Sequence, residues 1–139
     1  MTRKRIFFTT LFFTLFSLLL VSGCNKKKGE SLEISMSEFS ELYKKNSAIQ
    51  IIDVRTPEEY NEGHVPNAKL LTLNNLVDGS QTVPFDKNSE IYVICRSGNR
   101  SMTATKFLKQ AGYEHVTSVA GGTMGWISEG NPIQTEEQK

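Results

Sequence analysis

Residues 91–101 read IYVICRSGNRS, and this stretch decides the fold and the chemistry predicted for the chain. The β-branched and aromatic run that ends at Ile94 is typical of a buried strand, and a helical pattern follows from Ser101. Cys95 is therefore predicted in a tight loop between a strand and a helix. Backbone N–H groups of such a loop converge on one point, where the helix dipole adds partial positive charge. We expect an exposed Cys95 that ionises easily, because the thiolate is the reactive form of cysteine.

The residues that follow the thiol are predicted to bind the substrate. They are Arg96, Ser97, Gly98, Asn99 and Arg100. The two arginines bring full positive charges, so the loop should hold a small anion as well as stabilise a thiolate. The alternative is a buried structural cysteine, a common environment for a free thiol. Two arginines beside such an apolar thiol would be costly, which favours the reactive interpretation.

The length of the loop narrows the chemistry further. Four residues separate Cys95 from Arg100. Phosphatases that attack phosphate with cysteine use a loop that is one residue longer and forms a wider cradle. The shorter loop closes a tighter ring, which is better matched to a sulfur atom carried on the cysteine.

Three parts of the chain together resemble one protein family. The matching stretches are CRSGNRS at 95–101, IIDVRTPEEY at 51–60 with GHVPNA at 63–68, and VAGG at 119–122 with GW at 125–126. They are similar to the active-site loop and to the N-terminal and C-terminal signatures of the single-domain rhodaneses, which are thiosulfate-type sulfurtransferases. The resemblance spans residues 32–133, with the motifs in family order. It departs at Asn67, where the family usually has glycine in a turn.

The resemblance implies a sulfurtransferase that works through a persulfide on Cys95. The thiolate would take the outer sulfur of thiosulfate or a similar small anion and pass it to a thiol or cyanide acceptor, without a cofactor. Loop N–H groups from Arg96 to Arg100 would surround the carried sulfur. Arg96 would guide anionic donors at the mouth of the loop, and Arg100 would hold the loop or the start of the helix. Two alternatives remain: a non-catalytic persulfide carrier or sensor, and, less favoured, a phosphatase or arsenate reductase on the same fold.

Strand and helix patterns alternate along the domain. Strands are predicted at residues 32–34, 49–54, 69–71, 90–94 and 116–119, and helices from Met36, from Pro57, and at 73–77, 101–110 and 123–128. Ser35 with Glu38 predicts a capping box, and Thr56 before Pro57 predicts a second helix start. Apolar residues at 36, 39, 42 and 43 predict the buried face of the first helix. The alternation predicts an α/β fold with a mostly parallel sheet and helices on both faces, and the resemblance implies a rhodanese-like three-layer domain with five strands.

Several other polar residues have structural explanations. Arg55 follows a predicted strand and is expected to pair with Asp53, Glu58 or Glu59 rather than to bind substrate. His64 is expected to bond to backbone in a turn, and Trp126 to fill the core. Two distant histidines and one free thiol do not make a metal site, so no metal is predicted.

The N-terminus predicts export to the outside of the cytoplasmic membrane. Residues 1–23 combine a basic start, a short apolar run and small residues, as a signal peptide does. The segment LVSGC at 20–24 resembles the lipobox of bacterial lipoproteins, which implies a lipid on Cys24 and anchoring to a bacterial membrane. An uncleaved anchor helix is the alternative. The predicted organisation is then a signal peptide at 1–23, a tether at 24–31, a rhodanese-like domain at 32–133 and a polar tail at 134–139.

Charge and cysteine content complete the prediction. The chain has 16 basic and 15 acidic residues, so no basic surface suited to nucleic acid is implied. A lipid on Cys24 would leave Cys95 without an intrachain partner. An unpaired thiol in an exported protein suggests reactivity.

Overall fold

A computed structural model describes residues 31–135 of the chain. The predicted signal peptide, Cys24, the tether up to residue 30 and residues 136–139 of the predicted tail lie outside the described residues. Within residues 31–135, no helix has both the length and the apolar character needed to cross a membrane.

Strands and helices alternate along the described chain, as the sequence predicts. The elements are β1 (Glu33–Ile34), α1 (Met36–Lys45), β2 (Gln50–Asp53), α2 (Pro57–Glu62), β3 (Lys69–Leu70), α3 (Leu73–Val77), β4 (Ile91–Ile94), α4 (Asn99–Gln110), β5 (Val116–Val119) and α5 (Gly122–Ser128). The predicted bounds of α3 and β5 are confirmed. Helix α4 begins two residues earlier than predicted, because the left-handed Gly98 turns the chain directly into the helix.

The five strands form one sheet in the order β1-β5-β4-β2-β3. All four pairings are parallel, which confirms the predicted α/β architecture. Strand β4 lies in the centre with all of its residues buried, because helices cover both faces of the sheet. In a parallel sheet the carboxyl ends of the strands share one edge, so β4 delivers Cys95 to the edge where ligands bind in open α/β folds.

Two apolar clusters lie on opposite faces of the sheet. One includes Phe39 of α1, Tyr60 of α2 and Trp126 of α5. The other includes Leu76 of α3 and Leu108 of α4. Alternate residues of β2 and β4 contribute to the two clusters, as the period of a strand requires. The three predicted layers are therefore present.

The predicted starts of two helices are confirmed. Ser35 forms a capping box with Glu38, and Thr56 forms another with Glu59 ahead of Pro57. Each box satisfies backbone N–H groups that have no partner within the helix.

One predicted core position in α1 is wrong. Leu42 is 36% exposed, whereas Phe39 is fully buried. Consecutive helical residues are about 100° apart around the axis, so Leu42 lies about 60° beyond Phe39 and about 120° from Met36, at the exposed edge of the buried stripe. Ser40 lies on the buried stripe instead, and its hydroxyl donates to Glu129.

Candidate active site

Cys95 directly follows β4, and a short loop connects it to α4. Gly98 is the N-cap of α4 and has a left-handed backbone with φ of 107°. A side chain there would be strained, and its Cβ would lie 3.4 Å from the backbone nitrogen of Gly121. The left-handed turn brings the Gly98 N–H to 3.1 Å from Cys95 Sγ, to which it donates. The loop therefore folds its backbone around the sulfur, as its sequence predicts.

The Cys95 thiol also forms a hydrogen bond with the hydroxyl of Ser101. Cys95 Sγ lies 3.6 Å from Ser101 Oγ, in the first turn of α4. Ser101 in turn donates to the carbonyl of Gly98 at 2.9 Å, and its oxygen lies 3.0 Å from Ser118 Oγ of β5. Both serines are fully buried.

The environment lowers the pKa of Cys95. Burial is the largest single effect and raises the pKa, because it disfavours the charged form. Hydrogen bonds from the Ser101 hydroxyl and from the N–H groups of Ser101, Gly98 and Ser97 together outweigh burial. The net direction is the one that the sequence predicts for a reactive thiol.

The expectation of an exposed thiol is wrong, because Cys95 is only 1% exposed. The start of α5 covers the loop: the Thr123 N–H donates to Cys95 O at 2.7 Å, and the Met124 N–H donates to Arg96 O at 3.1 Å. Gly122 permits this approach, since a Cβ on it would lie 2.2 Å from Cys95 O. A substrate must therefore reach a sulfur that the protein covers almost completely.

The loop residues predicted to bind substrate differ in their surroundings. The side chains of Arg96, Ser97 and Asn99 are exposed, whereas Gly98 is buried. Arg100 is half-buried and makes two hydrogen bonds of 2.7 Å to the carboxylate of Glu59 in α2. This ion pair ties the start of α4 to α2.

The pKa of Glu59 reflects this ion pair. The hydrogen bonds from Arg100 are the main reason why the pKa of Glu59 falls to about 2. Glu59 is thus ionised across the physiological range and holds the Arg100 guanidinium in place. Arg96, the residue after Cys95, keeps an exposed side chain.

Comparison with known proteins adds independent evidence. The family model described as "Rhodanese-like domain" matches residues 35–129. The chain belongs to the rhodanese-like domain family. A protein named "Sulfurtransferase" from Allochromatium vinosum is 33% identical over 105 residues, which cover 76% of this chain and 96% of that protein. "Thiosulfate sulfurtransferase 18" from Arabidopsis thaliana is 31% identical over 125 residues, covering 81% of this chain and 90% of its own length.

Solved structures agree with the family assignment. The crystal structure of a rhodanese-related protein from Thermoplasma volcanium superposes with a TM-score of 0.64 at 32% identity, covering 75% of this chain and 98% of that one. A rhodanese-like domain protein from Staphylococcus aureus also gives a TM-score of 0.64, at 30% identity. The relatives support a sulfur-transfer function of the rhodanese type for this chain.

Three further residues of the rhodanese-like domain have the structural roles that the sequence predicts. Arg55 is 5% exposed, and its guanidinium donates hydrogen bonds to the carboxylate of Asp53. It also donates a hydrogen bond of 2.9 Å to the carbonyl of Gly63. Its predicted structural role is confirmed. His64 Nδ1 lies 2.9 Å from the carbonyl of Tyr60, and its ring stacks on the Tyr60 ring. Trp126 is fully buried.

A pocket of about 330 Å³ lies beside the loop. Two arginines and two glutamates contribute charge to it, and three residues form an apolar side: Arg55, Arg96, Glu59 and Glu62, with Met124, Ile127 and Ile133. Cys95 does not line this pocket, which is consistent with the burial of its sulfur. Within residues 31–135, no group of three or more His, Cys, Asp or Glu side chains is arranged to hold a metal ion.

Two features of the site escape sequence reasoning. Glu59 is recognisable as a helix-capping residue, but nothing in the sequence connects it with Arg100, which is 41 residues away. Ser118 is an unremarkable serine in a short strand, and its contact with Ser101 depends on how α4 packs on the sheet. A polar residue at an otherwise apolar strand position is the only signal that could have drawn attention to it.

Proposed function

We propose that this rhodanese-like domain transfers sulfur from thiosulfate, or a similar small anion, to a thiol or cyanide acceptor through a persulfide on Cys95. The main support is the Gly98 N–H, 3.1 Å from a sulfur at the carboxyl edge of the central strand. The loop stabilises the thiolate of Cys95, and this thiolate attacks a sulfur donor bound at the loop. The relatives named as sulfurtransferases support the same reaction class.

The reaction balances without an added oxidant or reductant. The Cys95 thiolate forms a bond to the outer sulfur of thiosulfate, the sulfur–sulfur bond of the donor breaks, and sulfite leaves with the electron pair. The acceptor, as a thiolate or cyanide, then attacks the carried sulfur and regenerates the Cys95 thiolate. Negative charge stays within the loop throughout, and preorganised N–H groups stabilise it there. The scheme needs no cofactor.

The two arginines of the loop have separate parts in this scheme. Arg96 is exposed and lines the pocket beside the loop, so it attracts an anionic donor. Arg100 is held by Glu59, so its charge acts from a fixed position at the start of α4. Because the sulfur is covered, a donor drawn in by Arg96 still requires a local opening of the protein around the loop.

Intact-mass spectrometry of the protein after incubation with thiosulfate tests the proposal. We expect the mass of one additional sulfur atom, removed again by cyanide or by a small thiol. No adduct at saturating thiosulfate would overturn the proposed function. A persulfide that forms fully but is released negligibly to several acceptors would instead favour a carrier or sensor, a second candidate that the 1% exposure of Cys95 supports.

We also propose that the protein is lipid-anchored through Cys24 on the outer side of a bacterial cytoplasmic membrane or beyond it. The support is the signal-like segment 1–23 followed by Cys24 in the sequence. The same mass measurement on protein purified from membranes reports this directly. A mature chain that begins at an acylated Cys24 supports the anchor, and an intact unmodified N-terminus contradicts it.

A further inference from the structure

Two buried serines form a chain of hydrogen-bonded hydroxyl groups that ends at the Cys95 sulfur. Ser101 Oγ is 3.6 Å from Cys95 Sγ, and Ser118 Oγ is 3.0 Å from Ser101 Oγ. Both serines are 0% exposed, so their hydroxyl groups depend on protein partners. Ser118 comes from β5, and its backbone pairs with Val93 of β4.

The direction of each hydrogen bond follows from counting hydrogens. A hydroxyl has one hydrogen to donate and can accept two hydrogen bonds. The hydrogen of Ser101 goes to the carbonyl of Gly98, at 2.9 Å. The hydrogen between the two serines therefore comes from Ser118. In the thiol form, Ser101 Oγ accepts from both Ser118 and the S–H of Cys95, and its capacity is filled.

Ionisation of Cys95 changes this arrangement. The thiol proton is lost to solvent, and the sulfur, which already accepts the Gly98 N–H, can now also accept from the Ser101 hydroxyl. The Ser101 hydroxyl can then turn its hydrogen from the carbonyl of Gly98 to the sulfur. That carbonyl keeps a partner, because it also accepts the Met102 N–H at 3.1 Å. Turning the Ser101 hydroxyl therefore leaves no buried carbonyl without a hydrogen bond.

We propose that Ser118 is a positioning residue for Cys95, because its hydroxyl holds and polarises Ser101 so that Ser101 can donate to the thiolate. A hydroxyl that accepts a hydrogen bond is a stronger donor to the next group in the chain. Burial of Cys95 works against ionisation, and donation by Ser101 is the largest effect that lowers the pKa. Ser118 acts on the thiolate only through this second group.

Charged groups also lie on the elements around the loop, where Arg100 interacts electrostatically with Cys95, and all of them stay in place in the test. They are Arg96 and Arg100 from the loop and the start of α4, Asp53 at the end of β2, Arg55 just after it, and Glu59 from α2. Helix α5 and strand β5 contain no charged residue. A change at Ser118 therefore removes one neutral hydrogen-bond donor and no charge.

The test is the pH dependence of iodoacetamide alkylation at Cys95, in the full chain carrying Cys24→Ser so that one thiol reports. In Ser118→Ala we expect the midpoint to rise by about half a pH unit, which is a roughly threefold smaller thiolate fraction below the midpoint. Thr105→Val is the matched control. Thr105 Oγ1 is buried on α4 without a hydrogen-bond partner, so its removal should leave the midpoint unchanged.

A second pair of variants covers the possibility that Ser118→Ala does not fold. The threonine of Ser118→Thr and the valine of Ser118→Val have the same shape, but only threonine carries a hydroxyl. Only Ser118→Val should therefore raise the midpoint of the alkylation profile. Equal midpoints in these two variants, or an unchanged midpoint in Ser118→Ala, would overturn the proposal. So would an equal rise in Thr105→Val. Alkylation needs no sulfur donor, so a failure of thiosulfate to load the protein would overturn the proposed function and leave this result standing.

Discussion

Replacing Cys95 by serine is expected to abolish sulfur uptake from thiosulfate. Serine fits the same space and can still accept the Gly98 N–H, so the loop should keep its conformation. Its hydroxyl is not ionised at neutral pH and cannot carry a sulfane sulfur. We expect no sulfur adduct by intact mass and a fall in transfer rate of about a thousandfold or more.

The second cysteine of the chain supplies the matched control for this prediction. Cys24→Ser should load sulfur as the unaltered protein does, because Cys24 precedes the rhodanese-like domain in the sequence. Near-normal loading of Cys95→Ser would show that the sulfur is carried elsewhere and would contradict the account. Far-ultraviolet circular dichroism of both variants checks that the fold is retained.

Gly122→Ala is expected to give the largest loss of stability among single-methyl additions at the site. The new Cβ would lie 2.2 Å from Cys95 O and 2.6 Å from the carbonyl carbon of Arg96. Both contacts are with backbone, which cannot rotate away as a side chain can. Helix α5 would have to lift from the loop and lose the hydrogen bonds from Thr123 and Met124. We expect a loss of about 3–5 kcal/mol in the free energy of unfolding.

Gly130→Ala separates the clash from the cost of the backbone conformation. Gly130 also has a positive φ, of 74°, but a Cβ there meets nothing within 4 Å. We expect a loss of only about 1 kcal/mol for placing alanine in the left-handed region. Urea denaturation of the two variants gives the comparison. Equal losses would show that the close packing of α5 on the loop contributes little to stability.

Local patterns explain why much of the architecture is predictable from the sequence. The helix start at Thr56 and Pro57 depends on residues a few positions apart, and the structure confirms it. The buried character of residues 91–94 follows from an unbroken apolar run. The structure also explains why Asn67 can stand where the family usually has glycine. Its φ of 67° is left-handed, and asparagine tolerates this conformation better than most residues that could replace glycine.

The remaining features depend on contacts between distant parts of the chain. The start of α5, which follows Cys95 by 27 positions, bonds to the carbonyls of Cys95 and Arg96, so the loop sequence alone could not reveal how the thiol is packed. The Glu59–Arg100 ion pair joins α2, which precedes β4 in the chain, to α4, which follows it. The hydroxyl chain from Ser118 to Ser101 requires the packing of α4 on β5. Each depends on tertiary geometry rather than on local periodicity.

The most direct test of the central claim is the rate of Cys95 alkylation as a function of pH in the Cys24→Ser protein. The midpoint reports ionisation of the thiol, whereas the plateau rate reports access to the covered sulfur. Because the loop lowers the pKa of Cys95, we expect the midpoint to lie below that of a cysteine in an unstructured peptide measured alongside. A midpoint equal to or above the peptide value would contradict the account.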